Sequence, residues 1–184
     1  MGAWWQKENS MGWICCNRYW RGRNKGRRRV IIPMKYILTD TGFWRALLDS
    51  EDDYKRQSVA KEAFSYIEEA KIKILIPSNA VYSELFNTTF LKKGNKIEKI
   101  DHFEKLLRSE IIVSINDGKY RDEALATTLN EGKRCQKISF VDNIIRLIAR
   151  DLKNEIIYLI TFDKILMTEC AKYVDIYEKC YQFG

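Results

Sequence analysis

A single histidine in 184 residues, His102, removes two whole classes of catalyst. Ribonuclease chemistry run by a histidine pair needs a second imidazole, and a Ser-His-Asp arrangement needs one beside a nucleophile. His102 lies on an amphipathic helical stretch and meets neither need. The cysteines are equally uninformative: Cys15, Cys16, Cys135, Cys170 and Cys180 form an odd set without paired spacing, which indicates neither a disulfide framework nor a zinc site. No apolar run approaches the roughly 18 to 20 residues of a membrane-spanning helix. The opening MGAWWQKENS lacks the basic start and apolar core of a signal peptide, so a cytoplasmic location is expected. Glycine-rich phosphate cradles of the GxxxxGK or GxGxxG kind are also missing.

Net charge is low once its location is considered. The formal +7 resides in residues 1–33, which hold eight of the 32 lysines and arginines against Glu8 alone, leaving 24 of each sign in the remainder. That leader also contains Trp4, Trp5, Trp13 and Trp20 with no amphipathic period to bury them. It reads as a basic arm that grips RNA through phosphates and ring stacking, or as a disordered extension upstream of a true start at Met34. The second is preferred, because so many exposed tryptophans invite aggregation.

Residues 34–184 read as one domain of alternating strands and helices. KYILTD, KIKILIP, EIIVSIN and IIYLIT are β-type runs, and VDIY is a small edge strand. Between them lie a helix beginning at GFWRALL, YKRQSVAKEAFSYIEEAK, a helix capped by Ser78 and broken at Gly94-Asn95, and KIEKIDHFEKLLRS. DGKYRDEALATTLNEG, bounded by Gly132, FVDNIIRLIARDLK, capped by Ser139, and DKILMTECAK complete the set. This alternation implies an α/β fold with a mostly parallel sheet covered on both faces.

Four carboxylates stand out against that frame. Asp40 closes KYILTD and Asp163 closes YLITFD, so both lie at carboxyl ends of strands, where ligands bind in open α/β sheets. Asp142 in SFVDNII and Glu84 in VYSELFN interrupt apolar helix faces, where an unpaired charge costs several kcal/mol. Singly, each has a structural explanation: a cap for Asp40 and Asp163, a helix-dipole partner for Asp142, a solvated position for Glu84. Jointly, they form an oxygen-donor set for Mg²⁺ or Mn²⁺.

The motifs LTDTGFWRALL, PSNAVYSELFN, SFVDNIIRLIA and LITFDKIL, in this order, resemble the PIN domain, a Mg²⁺-dependent ribonuclease fold used by VapC-type toxins of toxin–antitoxin pairs. The resemblance covers roughly Lys35 to Tyr177. It implies a three-layer α/β/α sandwich and a metal held by Asp40, Glu84, Asp142 and Asp163 as catalytic residues. It also implies small hydroxyl side chains beside the site at Thr41 and Thr161, and leaves one ion or two open. The implied partners are RNA (tRNA, rRNA or mRNA), a cognate antitoxin and a second copy of the chain. The leader has no counterpart in that family.

Lys137, Arg146 and Lys164 flank the acidic motifs, and Lys92, Lys93 and Lys96 follow the Glu84 helix; these are candidates for holding RNA. Asp49, Glu51, Asp52 and Asp53 read as a solvated connector. Two competing functions remain: a Mg²⁺-dependent phosphatase of the haloacid-dehalogenase type, which wants a second acid where Gly42 stands, and a non-catalytic PIN-like binding scaffold.

Overall fold

Five short apolar runs, too brief for helices, pair into one sheet whose strands all run in the same direction. The computed structural model describes residues 35–87, 96–133 and 138–183. The leader, Lys92, Lys93, the Gly94-Asn95 break and Lys137 lie outside the described residues. The strands are β1 (Tyr36–Thr39), β2 (Lys73–Pro77), β3 (Ile112–Ile115), β4 (Ile156–Ile160) and β5 (Asp175–Ile176), in the spatial order β3-β2-β1-β4-β5. The helices are α1 (Thr41–Leu48), α2 (Tyr54–Ala70), α3 (Ser78–Asn87), α4 (Lys96–Leu107), α5 (Arg121–Lys133), α6 (Phe140–Asp151) and α7 (Lys164–Cys170).

From β1 the chain steps outward through β2 to β3, then returns across the sheet to β4 and β5. Parallel crossovers are right-handed, so reversing the direction of travel moves the connecting helices to the opposite face. The result is a three-layer α/β/α arrangement in which α1 contacts α2, α3 and α4 while α6 contacts α5 and α7. Being covered on both sides explains why Ile37, Leu38, Ile74, Ile76, Leu159 and Ile160 are all without exposed surface. Each such side chain contributes on the order of 1.5 to 3 kcal/mol by leaving water. Phe43, Trp44 and Phe103 add an edge-to-face aromatic stack, and the Trp44 indole N–H donates to the Thr39 hydroxyl (3.0 Å), tying α1 to the end of β1.

Three local expectations are corrected. Ser78 does not cap α3: it is the first residue of the helix, and its hydroxyl donates to the Ile115 carbonyl (3.1 Å). Because Pro77 leads straight from β2 into the helix, the cap comes from elsewhere. Fully buried Asp117, in a 3₁₀ turn (Asp117–Tyr120), accepts the Ala80 N–H (2.6 Å) and the Asn79 side-chain amide (2.9 Å). That same 3₁₀ turn replaces the first residues of the helix expected from DGKYRDEALATTLNEG. Gly132 does not bound this helix, which continues to Lys133; a Cβ there would meet nothing within 4 Å. The acidic connector is also more structured than expected. Asp49 pairs with Lys99 (2.7 Å), which is almost fully buried, and Asp53 caps α2 through the N–H groups of Lys55 (3.0 Å) and Arg56 (3.1 Å).

No helix among the described residues is long and apolar enough to cross a membrane.

Candidate active site

The reversal point of the sheet lies between β1 and β4, and a crevice outside the carboxyl ends of these strands is the expected ligand position. Register makes it specific: Thr39 pairs with Ile160, so Asp40 and Thr161 leave the sheet side by side. A cleft of about 270 Å³ opens there. It is lined by Asp40, Glu84, Asp142 and Asp163 together with Thr41, Gly42, Arg45, Arg56, Ser139, Ile145 and Phe162. A larger cavity of about 570 Å³ beside β5 is lined by Glu62, Tyr66, Tyr158 and Tyr177 among others, and contains none of the four acids.

Three of the acids reach the cleft because they start helices. Asp40 caps α1 through the Phe43 N–H (2.8 Å), and Asp163 caps α7 through the Leu166 N–H (2.8 Å). Asp142 closes a capping box with Ser139, in which the Ser139 hydroxyl accepts the Asp142 N–H (3.0 Å) and the Asp142 carboxylate accepts the Ser139 N–H (3.2 Å). Capping therefore coexists with convergence, since each helix delivers its acid to the same edge of the sheet. Glu84 arrives differently, from the second turn of α3, and its carboxylate accepts the Thr41 hydroxyl. Thr161, fully buried, donates to Asp40 and accepts the Asp163 N–H (3.1 Å).

The electrostatics register this crowding. Burial is the largest cause that pushes the Asp40 carboxyl up from 3.8 to about 7; hydrogen bonds from Thr161 and Phe43 oppose it, and the charges of Asp142 and Glu84 add to it. Asp142 is raised as well, first by burial and then, after the opposing bonds from Ser139, by Asp163 and Glu84. No cluster of three or more acidic, histidine or cysteine side chains is gathered tightly enough to be a ready cation cage among the described residues. Each carboxylate is turned to its own N–H or hydroxyl partner.

The donor chemistry nevertheless fits a hard divalent cation: four carboxylates and two hydroxyls, with no histidine or cysteine in the lining. Asp40, buried beside the charges of Asp142 and Glu84, makes no ion pair with another described residue, and such an ion would offset that charge.

The basic residues sort unevenly. Arg146 is taken up by ion pairs to Glu131 (3.0 Å) and Glu169 (3.3 Å), joining α5, α6 and α7, and does not line the cleft. Lys164 is an exposed residue just after Asp163, and His102 is exposed on α4. Arg45 and Arg56, not singled out from the sequence, do line the cleft. A sign of Arg45 was present, since it follows Gly42 by one helical turn on the face that Asp40 begins; Arg56 carried none. No protein-family model matches the chain, and no curated protein matches it.

Proposed function

We propose that this protein is a divalent-metal-dependent endoribonuclease of PIN-like fold that hydrolyses RNA phosphodiester bonds in the acidic cleft. The observation that carries the proposal is the delivery of four carboxylates by four separate elements to one cleft at the reversal point of the sheet. Asp40, Glu84, Asp142 and Asp163 would hold Mg²⁺ or Mn²⁺, which when bound stabilises charge on phosphoryl oxygens and makes water a competent nucleophile at neutral pH. Thr41 and Thr161 orient two of these acids by hydrogen bonds, so neither carboxylate is free to rotate. The N-termini of α1 and α6 add positive partial charge to the same edge.

The same reading extends to a toxin whose substrate is tRNA, rRNA or mRNA, whose antitoxin covers the acidic edge, and which dimerises through helices away from it. Growth arrest on expression, relieved by an adjacent small gene, tests this part.

One observation favours a second reading, a non-catalytic PIN-like RNA-binding scaffold: each acid already has a hydrogen-bond partner, two of them cap helices and a third, Asp142, completes a capping box. A phosphatase is disfavoured by Gly42, where a Cβ would already press on both Asp40 oxygens at 3.3 Å. Labelled RNA and a generic phosphatase substrate, each incubated with Mg²⁺ or with EDTA, separate the three. RNA cleavage confined to Mg²⁺ is expected, with the phosphatase substrate untouched. Binding without cleavage would favour the scaffold, and phosphate release the phosphatase.

A further inference from the structure

Four carboxylates and two guanidinium groups line one small cleft, yet no arginine pairs with an acid there. The acids bond instead to Thr41, Thr161, Ser139 and the N–H groups of Phe43 and Leu166. Neither Arg45 nor Arg56 forms an ion pair with another described residue. The Nε of Arg45 is buried and has no acceptor. A buried N–H without a partner is uncommon and unfavourable in a folded protein, so the half-buried Arg45 side chain is not fully satisfied where it lies and gains by turning toward an acceptor that enters the cleft it lines. Arg56 is exposed, but its guanidinium carbon lies 5.9 Å from the centroid of the Phe162 ring, another residue of the cleft lining. A ring contact of this kind limits the freedom of the side chain while leaving its N–H groups available.

We infer that Arg45 and Arg56 form a phosphate-holding pair that takes one phosphodiester of an RNA strand into the acidic cleft. The inference rests on the nuclease reading and adds to it the residues that engage the substrate backbone. Arginine suits this role because its planar fork donates two parallel hydrogen bonds to phosphate oxygens. Among the described lining residues these two are the only cationic side chains, set against four carboxylates whose charge repels an RNA backbone wherever a bound metal does not offset it. The basic side chains flanking the acidic motifs do not supply the need within the described lining: Arg146 is committed to Glu131 and Glu169.

The test is fluorescence anisotropy with a labelled single-stranded RNA 12-mer in Mg²⁺. Full-length Asp40→Asn protein serves as the parent, so that cleavage does not obscure binding. Arg45→Gln and Arg56→Gln are each added to it, with Arg45→Lys as the conservative control. Each glutamine variant is expected to bind about 10-fold more weakly and to lower the slope of log Kd against log salt by about one. Arg45→Lys is expected to recover part of the affinity. Glutamine variants that fold normally and bind with the parental affinity and slope would overturn the inference, as would a parent that binds no RNA. Should Arg45→Gln fail to fold, exposed Arg56 carries the test alone. Failure of the nuclease reading looks different: arginine-dependent binding by a wild-type protein that never cuts RNA.

Discussion

The Thr161 hydroxyl donates its hydrogen to Asp40 while accepting the backbone N–H of Asp163, so one buried side chain links the acids that follow β1 and β4. Replacing it with valine preserves shape and removes both bonds. In EDTA at pH 8, where Asp40 is largely ionised, Thr161→Val should lower unfolding free energy by about 2 kcal/mol, the usual size of a hydrogen bond to a charged group. At pH 5 the loss should be smaller, because protonated Asp40 needs the donor less. Urea denaturation at the two pH values checks this, and equal losses would refute it.

Asp40 itself gives stability a pH dependence of defined sign. Its folded value of about 7 lies above the ordinary 3.8, so the folded protein retains a proton that the unfolded chain releases. The stability from this group is fully present below pH 3.8 and is lost as pH rises to about 7, by at most on the order of 4 kcal/mol. Asparagine can keep the cap on the Phe43 N–H without the charge. Metal-free Asp40→Asn should therefore match wild type near pH 4, gain on it steadily to pH 7, and hold the gain above that. Denaturation in EDTA across this range would contradict the account if wild type became the more stable protein as pH rose.

Gly42 gives a way to separate fold from site. A Cβ at this position would stand 3.3 Å from both Asp40 oxygens, which cannot easily yield because Thr161 and the Phe43 N–H hold them. Alanine is the better helix former by up to about 1 kcal/mol, which offsets the cost of pushing the held carboxylate aside by a few tenths of an ångström, so Gly42→Ala should leave the melting temperature close to that of wild type. RNA cleavage should fall at least about 10-fold by the same displacement of the carboxylate. Full activity with unchanged stability would show that the Asp40 position is not critical.

Arg146 and Lys164 should behave in opposite ways to one another. Arg146→Ala leaves the half-buried Glu131 and Glu169 without their shared counter-charge, although Glu169 keeps Lys172 (2.8 Å), and should cost about 1 to 2 kcal/mol. Exposed Lys164→Ala should change stability by less than about 0.5 kcal/mol. Chemical denaturation of both variants distinguishes a structural arginine from a surface lysine.

Much of the fold was legible because its signals are local. Short runs such as KILIP and IIYLI, separated by amphipathic stretches, announce a parallel sheet, and Asp40 and Asp163 stand at strand ends that can be read directly. What escaped is information carried between distant segments. Asp117 caps a helix that begins 39 residues earlier in the chain, at Ser78, so no local pattern could have displaced Ser78 from that role. Arg146 sits in the same apolar helix as Asp142, and only the packing of α5 and α7 reveals that its charge is already matched. Arg56 reaches the cleft from another helix altogether.

The most direct measurement is the rate of cleavage of labelled RNA in Mg²⁺ by wild type beside Asp40→Asn, Glu84→Gln, Asp142→Asn and Asp163→Asn, with folding of each verified by circular dichroism. The account predicts cleavage by wild type that EDTA abolishes, and a loss of at least about 100-fold in every variant, as expected when groups act together on one site. Cleavage that persists in EDTA, or wild-type rates in variants of these acids, would contradict it.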